Sequence, residues 1–369
     1  MEMKKLVLAT AAAFGLLSCT QNQLTVEGEI VGTEVPSKAY LKIIDEKETP
    51  TIIDSVVIKD GKFAFEVNLE NEEIGLIALS NDIVFPVVLE KGALKMKADL
   101  NNLSGYTIEG TPSNDMYRTF RKKDIQFTAA QEKIYREYVD AQLNGQLNAA
   151  KEAEIKARYD EKAKSRNDNV EKYIQQNRSS LVSLMVLMQM QYDLSKEKLV
   201  ELVDAIPANF DNVGAVRALK KEVATIKNTA VGQPLIDFTL PDTEGKSQVL
   251  SKLISGSKVV VLDFWASWCG PCRSENPHVV ELYKKYKDRG LQIVGVSLDT
   301  RKEKWLEAIK DDTLNWIHLS DLNGWKSSAA ALYGVKSIPA TFILSNGKIV
   351  ARDLRGAELD KKIEELLVK

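Results

Sequence analysis

Two of the chain's three cysteines, Cys269 and Cys272, stand two residues apart in FWASWCGPCRSENP, residues 264–277, behind Trp265 and Trp268. At this spacing on the first turn of a helix, two thiols can close a disulfide within one loop. The first sulfur then faces the unpaired backbone N–H groups and the positive end of the helix dipole. Thiolate is the nucleophile, and such a site brings a thiol pKa from about 8.5 to roughly 7 or below. Cys269 is accordingly the attacking residue, and Cys272, further into the helix and more buried, the resolving one. A zinc half-site would need four ligands, whereas the chain has no second cysteine pair and only His278 and His318. No metal and no cofactor are therefore expected. A stapling role is also set aside, since structural disulfide frameworks use several pairs. Both histidines read as ordinary surface or core residues, because neither falls in a nucleophile–base arrangement.

The chain that carries this pair has 369 residues, a length that suggests two or three domains. With 50 Lys+Arg against 52 Asp+Glu, it offers neither a basic excess for nucleic acid nor an acidic tail. Its first eighteen residues, MEMKKLVLATAAAFGLLS, place Lys4 and Lys5 before an apolar run from Leu6 to Leu17, the pattern of an export signal. That run makes roughly 18 Å of helix, short of a ~30 Å hydrocarbon core, so it is not expected to remain as a span. Leu16-Leu17-Ser18-Cys19 resembles the lipobox of bacterial lipoproteins, which implies cleavage before Cys19 and lipidation of that residue. A soluble secretory signal is the alternative. If Cys19 carries lipid, Cys269 and Cys272 are the only thiols left.

From Leu24 to Gly110 the sequence runs in eight short β-rich segments: LTVEGEI, KAYLKII, TIIDSVVI, KFAFEVNL, EIGLIALS, IVFPVVLE, ALKMKADL and YTIEG. Asp60-Gly61 is a two-residue hairpin signal, and Lys91-Gly92 reads as a further turn. An antiparallel sandwich or barrel follows, with Pro86 at an edge or bulge because it cannot donate to a ladder. Between Pro112 and Pro207 there is no proline and only Gly145, which is the composition of long helices, with caps at Ser113 or Asn114 and near Ser179 and Ser195. SLVSLMVLMQM, 180–190, should pack in a helical core. Beyond Val231 come all five tryptophans and strand–helix alternation: KVVVLDFW, a helix to about Lys287, LQIVGVSLD, RKEKWLEAIK, WIHLS, GWKSSAAALYG, the hairpin TFILSNGKIVARD and a closing helix. This is α/β with a mixed sheet. The expected order is a signal peptide at 1–18, a β-rich domain at 19–111, a helical region at 112–228 and the α/β domain at 229–369.

Trp268-Cys269-Gly270-Pro271-Cys272 after VVVLDFW resembles thioredoxin, with Asp263 six residues before the first cysteine and Pro277 eight after it. VGQPLIDFTLPDTEGK, and the long stretch between LQIVGVSLD and Pro339, resemble the membrane-tethered thioredoxin-like proteins of the TlpA/ResA type. The resemblance covers about the last 140 residues. It implies a thioredoxin fold, a redox-active Cys269-Cys272 disulfide and a cis-proline loop at Ser337-Ile338-Pro339-Ala340-Thr341. It also implies that Asp263, its pKa raised by burial, exchanges a proton with Cys272. Pro339 would lie against the disulfide and leave the Ile338 backbone to pair with an extended substrate, while Trp268, Gly270 and Pro271 frame the substrate side. Pro277 should kink its helix. Thioredoxin carries a lysine near the buried aspartate, and VGVSLD offers none, so the tuning of Asp263 is expected to differ.

Gly270-Pro271 resembles the dipeptide of reducing thioredoxins, near about −270 mV rather than about −120 mV. The expected function is a periplasmic, membrane-tethered reductase acting on disulfides of exported proteins and re-reduced by a membrane thiol donor. Cytochrome c biogenesis is among the roles the resemblance admits, and the outer membrane is favoured over the inner. A dimeric disulfide isomerase and an envelope binding protein are the competing readings. A thiol peroxidase is disfavoured, because WCGPC lacks the threonine or serine and arginine that surround a peroxidatic cysteine. The arrangement of a β-rich domain, helices and a thioredoxin domain resembles Bacteroidetes lipoproteins whose front domain has no assigned activity.

Overall fold

The computed structural model describes residues 23–45 and 50–368. Cys19 and the expected export signal lie outside the described residues. The chain forms two compact units, one running through Leu194 and including Ala205–Ala218, the other made of Ser195–Asp204 and Leu219 onward.

The first unit begins with β1 (Gln23–Val31), β2 (Lys38–Ile44), β3 (Pro50–Val57), β4 (Lys62–Asn68), β5 (Glu73–Ala78), β6 (Val84–Leu89), β7 (Gly92–Asp99) and β8 (Asn102–Glu109). They form two four-stranded sheets, β4-β1-β7-β8 and β3-β2-β5-β6. Alternating apolar residues from both sheets, among them Val26, Leu41, Phe65, Val87 and Met96, share one buried cluster, as in a sandwich. The expected all-antiparallel pairing fails at one place: β1 and β7 are parallel. The chain leaves the first sheet for the second twice, returning first as β4 antiparallel to β1 and then as β7 parallel to it on its other side. For the same reason Lys91-Gly92 does not close a hairpin but carries the chain from β6 in one sheet to β7 in the other. Asp60 and Gly61, with φ of 50° and 73°, make a tight turn closed by the Lys59 and Lys62 backbones, but the expected hairpin does not continue, because β3 and β4 part into different sheets; Pro86 lies on the edge strand β6.

Helices α1 (Pro112–Leu143), α2 (Ala149–Gln176), α3 (Leu181–Met190), α4 (Lys196–Asp204) and α5 (Gly214–Asn228) follow. α1 starts earlier than its expected cap, because Pro112 takes the first helical position and Thr111 precedes it. Asn114 is instead buried one turn in, where its side chain accepts from Val88 N at 3.0 Å and donates to Val88 O at 2.8 Å, fastening α1 to β6. Ser180 caps α3, and Leu181–Leu187 are buried, as the apolar run requires. The helical stretch is not one body, since α1–α3 belong with the strands and α4 with the second unit.

In the second unit, β9 (Thr239–Pro241), β10 (Ser247–Val249) and α6 (Leu250–Leu253) precede β11 (Val259–Trp265), α7 (Gly270–Tyr286), β12 (Leu291–Ser297) and α8 (Lys302–Asp311). They are followed by β13 (Ile317–Leu319), α9 (Ser328–Tyr333), β14 (Ala340–Ser345), β15 (Lys348–Arg352) and α10 (Gly356–Val368). The main sheet has the order β13-β12-β11-β14-β15, parallel from β11 to β13 and antiparallel beyond. β11 lies at its centre with apolar clusters on both faces, which explains its unbroken hydrophobic run. Leu262 and Phe264 face one cluster, while Val259 and Val261 face the other, with Val279 of α7 and Leu359 of α10. Asp263 is the one charged residue in the strand, opposite Gly295 and Thr341. Asn346 and Gly347 make the expected turn with φ of 52° and 70°.

Candidate active site

Cys269 is the N-cap of α7, and Pro271, whose missing N–H costs nothing in a first turn, follows inside the helix. The Cys269 Sγ accepts the Cys272 N–H at 3.2 Å, so one of the helix's orphan donors is directed at the sulfur. The two cysteines are joined as a disulfide with their Cα atoms 5.3 Å apart. The expected contrast in burial is slight: Cys269 is 4% exposed and Cys272 2%, because both sulfurs sit at the margin of the core cluster that holds Phe264, Trp265 and Ala266. α7 runs through Pro277 to Tyr286 without ending.

The loop that presents Cys269 is held by two carboxylates absent from the sequence expectations. Buried Asp299, just past β12, accepts from Ser267 N at 2.9 Å and from the Ser267 and Ser297 hydroxyls. Asp312, at the end of α8, pairs with the Arg273 guanidinium through two bonds and accepts from Asn276 Nδ2 at 2.6 Å. Arg273 also donates to Ser267 O at 3.2 Å, joining the loop to the first turn of the helix. Trp265 is buried core, whereas Trp268 is 55% exposed and tilts against Trp325, itself 52% exposed, at a centroid distance of 6.1 Å. Trp325 was not singled out because nothing in its local sequence places it beside Trp268.

On the inner side of Cys272 lies a cavity of about 20 Å³, lined by Asp263, Glu275, Pro339, Thr341 and Arg355 among others. The Ile338–Pro339 peptide is cis. Asp263 is partly buried, and its carboxyl takes no hydrogen bond from the described residues. Removal from water pushes its pKa up to about 7; nearby Arg355 opposes the rise and Glu275 adds to it. Glu275 is one turn beyond Cys272 and is fixed by the Gly356 N–H of α10, which donates to its Oε1 at 2.8 Å. Arg355 donates to the Pro339 carbonyl and so ties the cis-proline loop to the start of α10. No lysine occupies the β12 position opposite Asp263; that position is Gly295. The structure thus brings Asp263, Cys269, Cys272 and Pro339 into one site, with Trp268 and Gly270 at its outer rim beside Cys269. No metal-ligating cluster occurs among the described residues.

A cysteine pair capping a helix beside a central strand and a cis-proline loop defines a site for thiol-disulfide exchange. Residues 231–352 match the AhpC/TSA family, and residues 24–117 match a domain of unknown function, DUF4369. The chain is 30% identical over 139 residues to thiol-disulfide oxidoreductase ResA of Bacillus thuringiensis subsp. konkukian, an alignment spanning 38% of this chain and 78% of that protein. It is 34% identical over 120 residues to ResA of Bacillus subtilis, spanning 32% and 64%. A solved thiol-disulfide oxidoreductase from Bacteroides fragilis is 37% identical with a TM-score of 0.35, covering 36% of this chain and 99% of that one. Through its second unit the chain belongs to the ResA-type thiol-disulfide oxidoreductases, with a thioredoxin fold.

Proposed function

We propose that this oxidoreductase is tethered outside the cytoplasm by lipid on Cys19 and reduces disulfides of exported proteins. The observation that carries the proposal is the Cys269-Cys272 disulfide at the N-cap of α7 with Asp263 and cis-Pro339 on its inner side. In the reduced enzyme the Cys269 thiolate attacks a substrate disulfide, forming a mixed disulfide and expelling one substrate thiolate. Asp263 takes the proton from Cys272, whose sulfur then attacks Cys269; the second substrate thiolate leaves and the enzyme disulfide reforms. Trp268 and the Ile338 backbone hold the substrate segment, with Gly270 and Pro271 keeping the approach to Cys269 open.

Gly270-Pro271 supports the reductive direction, because a potential about 150 mV below that of the strong oxidants corresponds to roughly 7 kcal/mol for two electrons. A membrane thiol donor then re-reduces the enzyme in the periplasm, with the outer membrane as the favoured anchor site. Cys272→Ala should accumulate mixed disulfides with client proteins, seen as thiol-sensitive bands on non-reducing gels. If none forms while the wild type turns over, the mechanism is wrong. A measured potential above about −150 mV would overturn the reductive direction.

A further inference from the structure

Beyond the cavity behind Cys272, a row of polar side chains continues outward from Glu275. One turn further along α7, His278 Nδ1 lies 3.1 Å from Glu275 Oε1, and its Nε2 lies 3.0 Å from Asp360 Oδ1 on α10. The His278 side chain is 33% exposed and that of Glu275 29%, so the outer part of this row meets water while its inner end reaches the space that Cys272 and Asp263 share. A cavity of about 20 Å³ has room for one water molecule, enough to bridge carboxyl groups on its wall.

We infer that His278 is the port through which the proton exchanged at Cys272 passes between the Asp263–Glu275 cavity and solvent. The inference rests on the proposed exchange cycle. When a donor thiolate attacks Cys269, a new S–S bond forms to Cys269, the Cys269–Cys272 bond breaks and its electron pair stays on the Cys272 sulfur. That thiolate takes a proton from the Asp263 carboxyl. Glu275 passes a replacement inward from the His278 imidazolium, which is recharged from water. During substrate reduction the same proton travels outward.

The charged groups facing His278 are Glu275 on its own helix and Asp360 on α10; Arg355, from the segment before α10, faces Asp263 instead. Burial works against the imidazolium, but Asp360 and Glu275 outweigh it and hold the His278 pKa above its ordinary value of 6.5. The two carboxylates thus favour the charged imidazolium, the form that delivers a proton inward. His278 touches no sulfur and acts only through Glu275 and Asp263.

The test is stopped-flow reduction of the full-length oxidised protein by dithiothreitol at pH 6–8 in dilute buffer, followed by tryptophan fluorescence. His278→Ala and His278→Gln should both slow the reaction by about tenfold, the glutamine variant retaining polar contacts but unable to carry a proton. Added millimolar imidazole should restore His278→Ala, with saturation, and leave the wild type and Asp263→Asn unchanged. Wild-type rates in both variants across the pH range would overturn the relay, as would a slow His278→Ala that imidazole does not rescue. If Cys272→Ala still traps mixed disulfides in either case, the exchange cycle stands and only the relay falls.

Discussion

Asn114 in the first unit and Asp263 in the second are both polar side chains on the inner side of a regular element, and the fold treats them oppositely. Asn114 is fully buried and saturated, bonded to both backbone groups of Val88 and to the Thr111 hydroxyl. Asp263 takes no such bond and stands beside apolar walls and a second carboxylate. A satisfied buried amide makes one arrangement of helix and strand far better than its neighbours. An unsatisfied carboxyl is instead free to change its protonation, and such groups gather where chemistry occurs.

The largest effect expected from this contrast is kinetic. Asp263→Asn should slow disulfide exchange by about 10²-fold, measured as single-turnover reduction of a peptide disulfide, without loss of Cys269 reactivity toward alkylating reagents when reduced. The same variant has a thermodynamic signature. Because the folded pKa of Asp263 is near 7 and the unfolded one near 3.8, the native state holds the extra proton between those values. Stability from this group is full below about pH 4 and declines toward pH 7. Asp263→Asn should flatten that decline in urea melts taken across the range, and exceed the wild type in stability above pH 7.

Asn114→Ala should show the reverse profile: a loss of about 2 kcal/mol in unfolding of the first unit, from the unpaired Val88 groups, with the redox potential unmoved. Gly295→Ala tests how closely the second unit is packed beside Asp263. An added Cβ would meet His318 Nδ1 at 2.6 Å and Trp265 Nε1 at 3.1 Å. A cost of about 1–3 kcal/mol is expected, by thermal unfolding. The smallest stability change, within about 0.5 kcal/mol, is expected for exposed Trp325→Ala. Its readout is instead the fluorescence difference between oxidised and reduced protein, which should change because Trp268 loses its neighbour.

The two units also differ in how much of them could be read from sequence. In the second, the Cys269/Cys272 spacing and the strand and helix that flank it were legible from local pattern, whereas the expectations for Asp263 and a cis peptide at Pro339 came only from the resemblance to thioredoxin. Glu275, Arg355, Asp299 and Asp312 were missed because the contacts that place them at the site join residues 16 to 81 positions apart, and no periodicity encodes such pairs. In the first unit all eight β segments were legible, yet the parallel β1–β7 pairing was not, since alternation fixes which face is buried but not which strand lies alongside. Asn114 looked like a cap because asparagine before a helical run usually is one. Its burial depends on Val88, which lies 26 positions away.

The chain passes between the two units three times, after Leu194, after Asp204 and after Ala218. A protease cutting at any one of these crossings leaves a fragment that still carries a piece of the other's folded unit. The segment Ser195–Asp204 remains engaged with the later sequence, as the Lys227–Asp204 and Lys196–Asp353 pairs indicate. Limited digestion at a crossing should therefore yield two peptides on a denaturing gel but a single species under native conditions.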